Sequence, residues 1–466
     1  MSVEAAVAVF DAKRDAFLAD LETFLRFESI STQSEHTQDM QHCASWVRDQ
    51  LASAGLDAQV LPTAGHPVVF ADSGPVPSGQ PALTLLFYGH YDVQPPGDLK
   101  LWNSPPFDPT IRDGAVYARG SADDKGPVMT HLAAMRCWRE THPHLPVRVK
   151  FITEGEEEIG SPNLPGFVRE HADQLSCDYV VLSDSTKLDA DTPALAYACR
   201  GLVYKEMTVD GPSHDLHSGQ YGGAVANPGN VLAAIIASLH DAKGKVTIFG
   251  FYDDVVPLTD KERELLAEVG LNDAQLLERT GSPAPTGEHG YSTAERYCAR
   301  PTLDVNGLTG GYAGEGAATI IPSRAIAKVS MRLVAHQDPA RISKAFDEAV
   351  RQACPPTVKL AIKNYAHCRA YVAPTDSPGM QAAIKALADS YGRPPVLTRE
   401  GGTLPILPLF KEVLGADSLL LGFIVPDCNL HSPNEFFCLR DFDIGTRVIL
   451  RFLAGIADQT ARANQA

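Results

Sequence analysis

The sequence predicts an α/β fold, a mostly parallel sheet with helices on both faces, interrupted by an inserted α+β domain. Three observations predict it. Strand-like apolar runs alternate with stretches of helical spacing through the first 200 residues and again after about 376, which is how a parallel sheet is wound. Between those segments the runs instead alternate apolar and polar residues, the pattern of a sheet with one wet face. Finally, 466 residues exceed what one ordinary core organises, so two domains are expected. The predicted boundaries are 1–200 with 376–466 for the first domain and 201–375 for the insert.

Each element follows from local pattern. Phe10, Phe17, Leu21 and Leu25 recur at helical spacing, as do Cys43, Trp46, Val47 and Leu51. The Pro/Gly-rich connection GPVPSGQPA leads into a strand, LTLLFYG. A helix follows, with Val128, Leu132, Met135 and Trp138 on one stripe, and then the strands VRVKFIT and DYVVLS. In the insert, LVYKEMTV, AKVSMRLVA (327–335) and VKLAIKNY (358–365) are strands, and NPGNVLAAIIASLHD is a helix with Pro228 near its start. The Gly- and Pro-rich section at 281–323 is expected to form long loops. A helix at 379–390, the strand SLLLGFIV and a helix from Asp441 to Ala457 complete the first domain.

Composition excludes several classes. Hydrophobic residues are 44% and charged residues 21%, a globular balance. A net charge of −17 argues against a nucleic-acid partner, which needs a basic face. Nine scattered cysteines without a CxxC spacing fit a reducing compartment. The N-terminal stretch carries acids throughout, unlike a signal peptide. No apolar run reaches the ~18 residues of a membrane span, so a cytoplasmic chain without membrane contact is expected. There is no G-x-S-x-G elbow, no Walker A loop, no G-x-G-x-x-G after a strand and no H-E-x-x-H helix.

What remains is a coincidence at strand ends. LTLLFYGHYD ends in His90 and Asp92, VRVKFITEGEEE in Glu157 and Glu158, and DYVVLSDS in Asp184. SLLLGFIV leads to His431, and Asp123 stands just before a helix in RGSADDKG. Alone, each has a plain explanation: DDKG as a charged turn, Asp184 as a helix cap, His431 as a hydrogen-bonded loop histidine. Together they lie where loops converge outside the carboxyl ends of an open α/β sheet. Two His with several Asp and Glu, and no Cys, suit divalent ions and hydrolytic chemistry. In His90-x-Asp92 the carboxylate is placed to orient the imidazole, whose other nitrogen can bind metal. The adjacent acids 156–158 repel one another and call for a cation nearby.

The blocks GHYDVQP, RGSADDKGP, EGEEEIGS, LSDS, DLHSGQYGG, REGGTLPI and LHSPNE, in this order and spacing, resemble the M20 metallopeptidase family, nearest its carnosinase and cytosolic nonspecific dipeptidase branch. The resemblance covers essentially the whole chain. It implies a homodimeric hydrolase of small peptides with a free C-terminal carboxylate, using two divalent ions (Zn²⁺, with Mn²⁺ or Co²⁺ also accepted by this ligand set). His90, Asp123 and Asp184 would hold one ion; Asp123, Glu158 and His431 the other. Glu157 would be the general base and Asp92 the partner of His90. His217 would stabilise the oxyanion from the partner subunit's lid, the role implied for the inserted domain. Thr319, Arg332, Gly402 and Thr403 would hold the substrate. A cis peptide is implied at Asp123–Asp124. The extra acid, Glu156, leaves three carboxylates for two roles. Alternatives are an N-acyl-amino-acid amidohydrolase of the same family and, from another class, a non-catalytic metal-dependent binding protein. The intact Glu157 speaks against the latter.

Overall fold

A computed structural model describes residues 3–77 and 83–463, so the second half of the connection GPVPSGQPA, from 78 to 82, lies outside the described residues. The chain divides into two compact units. The first comprises Met1–Tyr197, Ala373–Thr398 and Leu409–Ala466; the second comprises Ala198–Val372 with Arg399–Pro408.

The first unit is built on a mixed sheet flanked by helices. Its centre is four parallel strands in the order Arg148–Glu154, Thr84–His90, Tyr179–Leu182, Asp417–Leu421. Antiparallel strands extend both sides. Val68–Asp72 and Asp57–Leu61 lie beyond Arg148–Glu154, and Leu195 and Ala196 pair with Leu421 and Leu420 at the other side. The central strands are buried on both faces, which explains their continuous apolar runs. Phe87 and Phe151 are register partners on neighbouring strands, their rings stacked at 5.0 Å. A buried Phe of this kind is worth about 3–5 kcal/mol when truncated to Ala. That packing matters to function, because the first of these strands ends in His90 and the second leads within four residues to Glu157 and Glu158.

Helices cover the sheet. Val3–Leu25 buries Phe10, Phe17, Leu21 and Leu25, the stripe expected from the sequence, and Gly126–Thr141 is buried over most of its length. Pro378–Tyr391 and Leu439–Ala463 complete the layers; the last helix begins two residues earlier and ends six later than its apolar pattern indicated. A small sheet of Thr110–Arg112, Ala115–Tyr117 and Phe436–Cys438 joins the chain after His431 to the segment before Asp123. Among the described residues, no helix is long and apolar enough to cross a membrane.

The second unit holds a four-stranded antiparallel sheet in the order Thr302–Gly310, Arg324–Leu333, Gly201–Asp210, Lys359–Cys368. Strict alternation along Gly201–Asp210 and Arg324–Leu333 puts Val203, Met207, Val209, Ala327, Val329 and Met331 on one face. Helices Pro228–Ser238 and Pro339–Ala353 close over that face with Leu232, Ile235, Ile342 and Phe346.

The expected loop at 281–323 needs correcting. It contains a helix, Thr293–Cys298, held by a capping box between Ser292 and Glu295, and a strand, Thr302–Gly310. That strand escapes a pattern search for a physical reason. It is an edge strand, mostly exposed, with a bulge between Val305 and Gly307, so main-chain pairing rather than alternating burial holds it.

Candidate metal centre

The four parallel strands deliver their carboxyl ends to one place. His90 terminates Thr84–His90 with its side chain fully buried. Its Nδ1 donates to the Asp92 carbonyl at 3.0 Å and lies 3.3 Å from Asp92 Oδ1, leaving Nε2 3.0 Å from Asp123 Oδ1. Asp92 therefore lies behind the imidazole, on its Nδ1 side. It does more: its carboxylate accepts from the backbone N–H groups of Glu157 (3.2 Å) and Glu158 (3.0 Å). One side chain thus fixes both the first histidine and the acid run.

Asp123 sits in the turn Ser121–Lys125 before the helix, and the Asp123–Asp124 peptide bond is cis. Lys125, fully buried, anchors this turn by donating to the carbonyls of Phe24 and Phe27. The two oxygens of Asp123 face opposite ways, Oδ1 to His90 and Oδ2 to His431 Nε2 at 2.9 Å. His431 Nε2 is also 3.3 Å from Glu158 Oε2, which accepts from Gln94 at 2.8 Å. His431 is reached through a loop in which Asn429, His431 and Asn434 all adopt positive φ, a conformation that few non-glycine residues take. Asp184 follows the strand Tyr179–Leu182, after a Ser183 hydroxyl paired with the buried His131.

Two ligand sets result. His90, Asp123 and Asp184 form one, and Asp123, Glu158 and His431 the other; within each set, one ligand atom per residue lies within 4.8 Å of the others. Asp123 belongs to both. Glu156, the third acid of the run, turns elsewhere: it accepts from Asn163 Nδ2 and the His66 N–H, and it crowds Gly65 so closely that a Cβ there would collide with its Oε1.

Electrostatics separate the acids. Burial would raise the Asp123 carboxyl, but hydrogen bonds from His431 and His90 outweigh it and hold the group well below the usual range. Burial pushes Glu157 up to about 7, with the charges of Asp123, Glu158 and Asp92 adding to the rise and His90 opposing it. Asp184 is raised well above the ordinary carboxylate range, first by burial and then by the charge of Asp123. Glu154, bonded to Tyr88 and Ser161, is raised by burial to about 8.

The remaining predicted residues belong to the second unit. His217 is exposed and joins neither ligand set; it pairs with Ile320 in a two-stranded ribbon, Leu216–His217 against Ile320–Ile321. Ser218 donates to the Thr319 carbonyl, and Asp215 accepts twice from Ser323, so His217 and Thr319 share one rigid turn. His217 Nδ1 accepts from the Gly219 N–H at 3.0 Å, which makes Nε2 the protonated, donating nitrogen of the neutral ring. Arg332 donates to Thr403 Oγ1 at 2.5 Å, beside Gly402, whose carbonyl accepts from Arg200 N.

The family model for Peptidase family M20/M25/M40 matches residues 86–455. The chain belongs to the M20 peptidases. It is 30% identical to human Beta-Ala-His dipeptidase over 96% of this chain and 91% of that protein. It is equally 30% identical to the Cys-Gly metallodipeptidase of Schizosaccharomyces pombe, over 98% of this chain and 99% of that one. Among solved structures, an M20 metallo-carboxypeptidase from Sulfolobus solfataricus superposes with a TM-score of 0.83 at 32% identity, covering 95% of this chain and 99% of that chain. As an M20 peptidase the protein is a hydrolase with a mixed α/β catalytic architecture, and it carries a candidate site for two ions.

Two residues of this M20 peptidase were not singled out from sequence. Arg200 donates through Nε to the Gly401 carbonyl, and its buried Nη1 has no partner. Burial, then the charge of Arg332, lowers its pKa, and both arginines line a cavity of about 480 Å³ in the second unit, with Tyr297 and Ser330. The available signal was an arginine between two apolar runs, AYAC and LVY. The other is Glu435, the last residue of LHSPNE.

Proposed function

We propose that this M20 peptidase hydrolyses dipeptides or short peptides that carry a free C-terminal carboxylate, using two divalent ions. The observation that carries the reading is the pair of ligand sets sharing Asp123, with the raised carboxyl of Glu157 beside them. The donor chemistry fits the ions. Each set offers only carboxylate oxygens and imidazole nitrogen, and buried acids converge there with two histidines as the only cationic members. His90, Asp123 and Asp184 would hold one ion and Asp123, Glu158 and His431 the other, with Zn²⁺ favoured and Mn²⁺ or Co²⁺ tolerated. The chemistry such ions supply is Lewis-acid polarisation of the scissile carbonyl and activation of a water.

The chain's own residues do the rest. Glu157 takes a proton from the attacking water as its oxygen joins the carbonyl carbon. It passes that proton to the amine nitrogen as the C–N bond breaks. Burial raises the Glu157 carboxyl in the ion-free site, the direction that favours a group which first takes a proton and then returns it. Asp92 keeps His90 in place. His217, donating from Nε2, stabilises the oxyanion of a partner subunit's substrate in a homodimer. Arg332 with Thr319 captures the carboxylate and Gly402 with Thr403 contacts the far end of the substrate, while the unpartnered Arg200 Nη1 adds a second guanidinium nearby. Nine free cysteines suit a cytoplasmic enzyme.

Hydrolysis of a dipeptide panel alongside N-acetyl amino acids, with each metal in turn, tests the reading; preferential cleavage of the N-acetyl compounds would replace it with a deacylase. C-terminally amidated dipeptides are expected to show kcat/KM roughly ten- to a hundred-fold below their free acids, the loss of a charge-assisted contact worth ~1.5–3 kcal/mol. Equal values would remove Arg332 from the site. Mixing inactive His217→Ala and Glu157→Gln chains is expected to restore part of the activity, since one of the two heterodimer sites then holds both good residues. No rescue despite demonstrated subunit exchange would place the action of His217 in its own chain, or nowhere.

A further inference from the structure

Glu435 is fully buried, four residues after His431, and none of its side-chain hydrogen bonds goes to the side chain of a predicted ligand. Its two oxygens accept four hydrogen bonds. Oε2 accepts from Arg119 Nη1 (2.7 Å) and Gly120 N (3.0 Å); Oε1 accepts from Ala122 N (2.9 Å) and Asp123 N (3.1 Å). The backbone that presents Asp123 is therefore wrapped around this carboxylate. Its acceptor capacity is fully engaged, so it is not itself a metal ligand. The same segment is fixed at its own main chain, where Ala118 N donates to the Glu435 carbonyl, and at Asn434, whose side chain bonds Asn103 N and the Leu101 carbonyl.

We propose that Glu435 is a positioning residue that fastens the Asp123 turn and the His431 loop into one unit, and so sets the geometry of both ligand sets at once. The inference rests on the two-ion reading above. Only an ionised carboxylate meets the demand here. An amide has one accepting oxygen and would turn its N–H₂ group against backbone donors. Because Asp123 is common to both sets, a shift of its backbone weakens both, whereas loss of a ligand unique to one set weakens one. A carboxylate serving only as an anchor for the fold would lower thermal stability and leave metal affinity alone.

The test is a Zn²⁺ titration of the full-length, metal-stripped chain against a chromogenic chelator. Wild type is expected to take up two equivalents tightly and His431→Ala to lose one. Glu435→Gln is expected to weaken both, each by roughly ten- to a hundred-fold, the usual effect of removing a partner that orients a ligand. Two equivalents at wild-type affinity in Glu435→Gln, or a defect confined to the equivalent lost in His431→Ala, would overturn the inference. Should Glu435→Gln fail to fold by circular dichroism, Glu435→Asp keeps the charge on a shorter arm. Weakening of both equivalents there supports the role, and wild-type affinity at both overturns it. A wild-type chain that takes up fewer than two ions overturns the two-ion reading, and this inference with it.

Discussion

Stripping divalent metal from the protein with a chelator is expected to reduce peptide hydrolysis to background, and readdition of Zn²⁺, Mn²⁺ or Co²⁺ to restore it. The reason lies in proton affinities. Glu157 is the only raised carboxyl assigned as base, and at about 7 it cannot deprotonate free water, whose pKa is ~15.7. Without Lewis acids the carbonyl is also unpolarised, and the acids of Asp123, Asp184 and Glu158 would crowd together with only two imidazoles between them. The measurement is dipeptide turnover before chelation, after it, and after readdition, with metal content determined on the same samples. Undiminished turnover in chain shown to be metal-free would sink the mechanism.

Glu157→Gln and Glu158→Gln are expected to part company although they are neighbours. The first keeps shape and charge-free polarity but removes the base, so metal content should stay near wild type while kcat falls by at least ~10². The second removes a ligand oxygen from the set with Asp123 and His431, so metal affinity should fall first and turnover follow occupancy. Both backbone N–H groups are tied to Asp92, which keeps the local chain in place in either variant. Elemental analysis and kcat on each variant decide it; exchanged phenotypes would mean the two roles are reversed.

Much of the centre was legible because strand ends are legible. Buried parallel strands must be apolar throughout, so LTLLFYG, VRVKFIT and DYVVLS announce both their own extent and the residue at which each ends. The polar residues there, His90, Glu157, Glu158 and Asp184, are then conspicuous. Arg332 and Thr403 came only by resemblance, since no local pattern ties residues 71 positions apart. Arg200 and Glu435 were missed for a related reason. Their importance lies in an unpartnered guanidinium nitrogen and in four donors from a distant turn, which are properties of tertiary placement. The helices Asp260–Val269 and Asp273–Thr280 are a different kind of miss. Their capping boxes, Thr259 with Glu262 and Asn272 with Gln275, are local sequence signals that apolar periodicity alone does not reveal.

The position of Glu156 has a consequence for how chains like this one drift. Its carboxylate occupies the space over Gly65 and is held by Asn163 and the His66 amide, away from the two ligand sets. Residues 65, 156 and 163 therefore form a small steric bargain of their own. In homologous chains where a shorter or neutral side chain replaces the acid at 156, the glycine at 65 is released to take a side chain and Asn163 loses its reason to persist. The three positions should covary with one another while remaining statistically independent of His90, Glu157 and His431. A run of three acids that looks like one catalytic feature would then separate, over evolutionary time, into two that change at different rates.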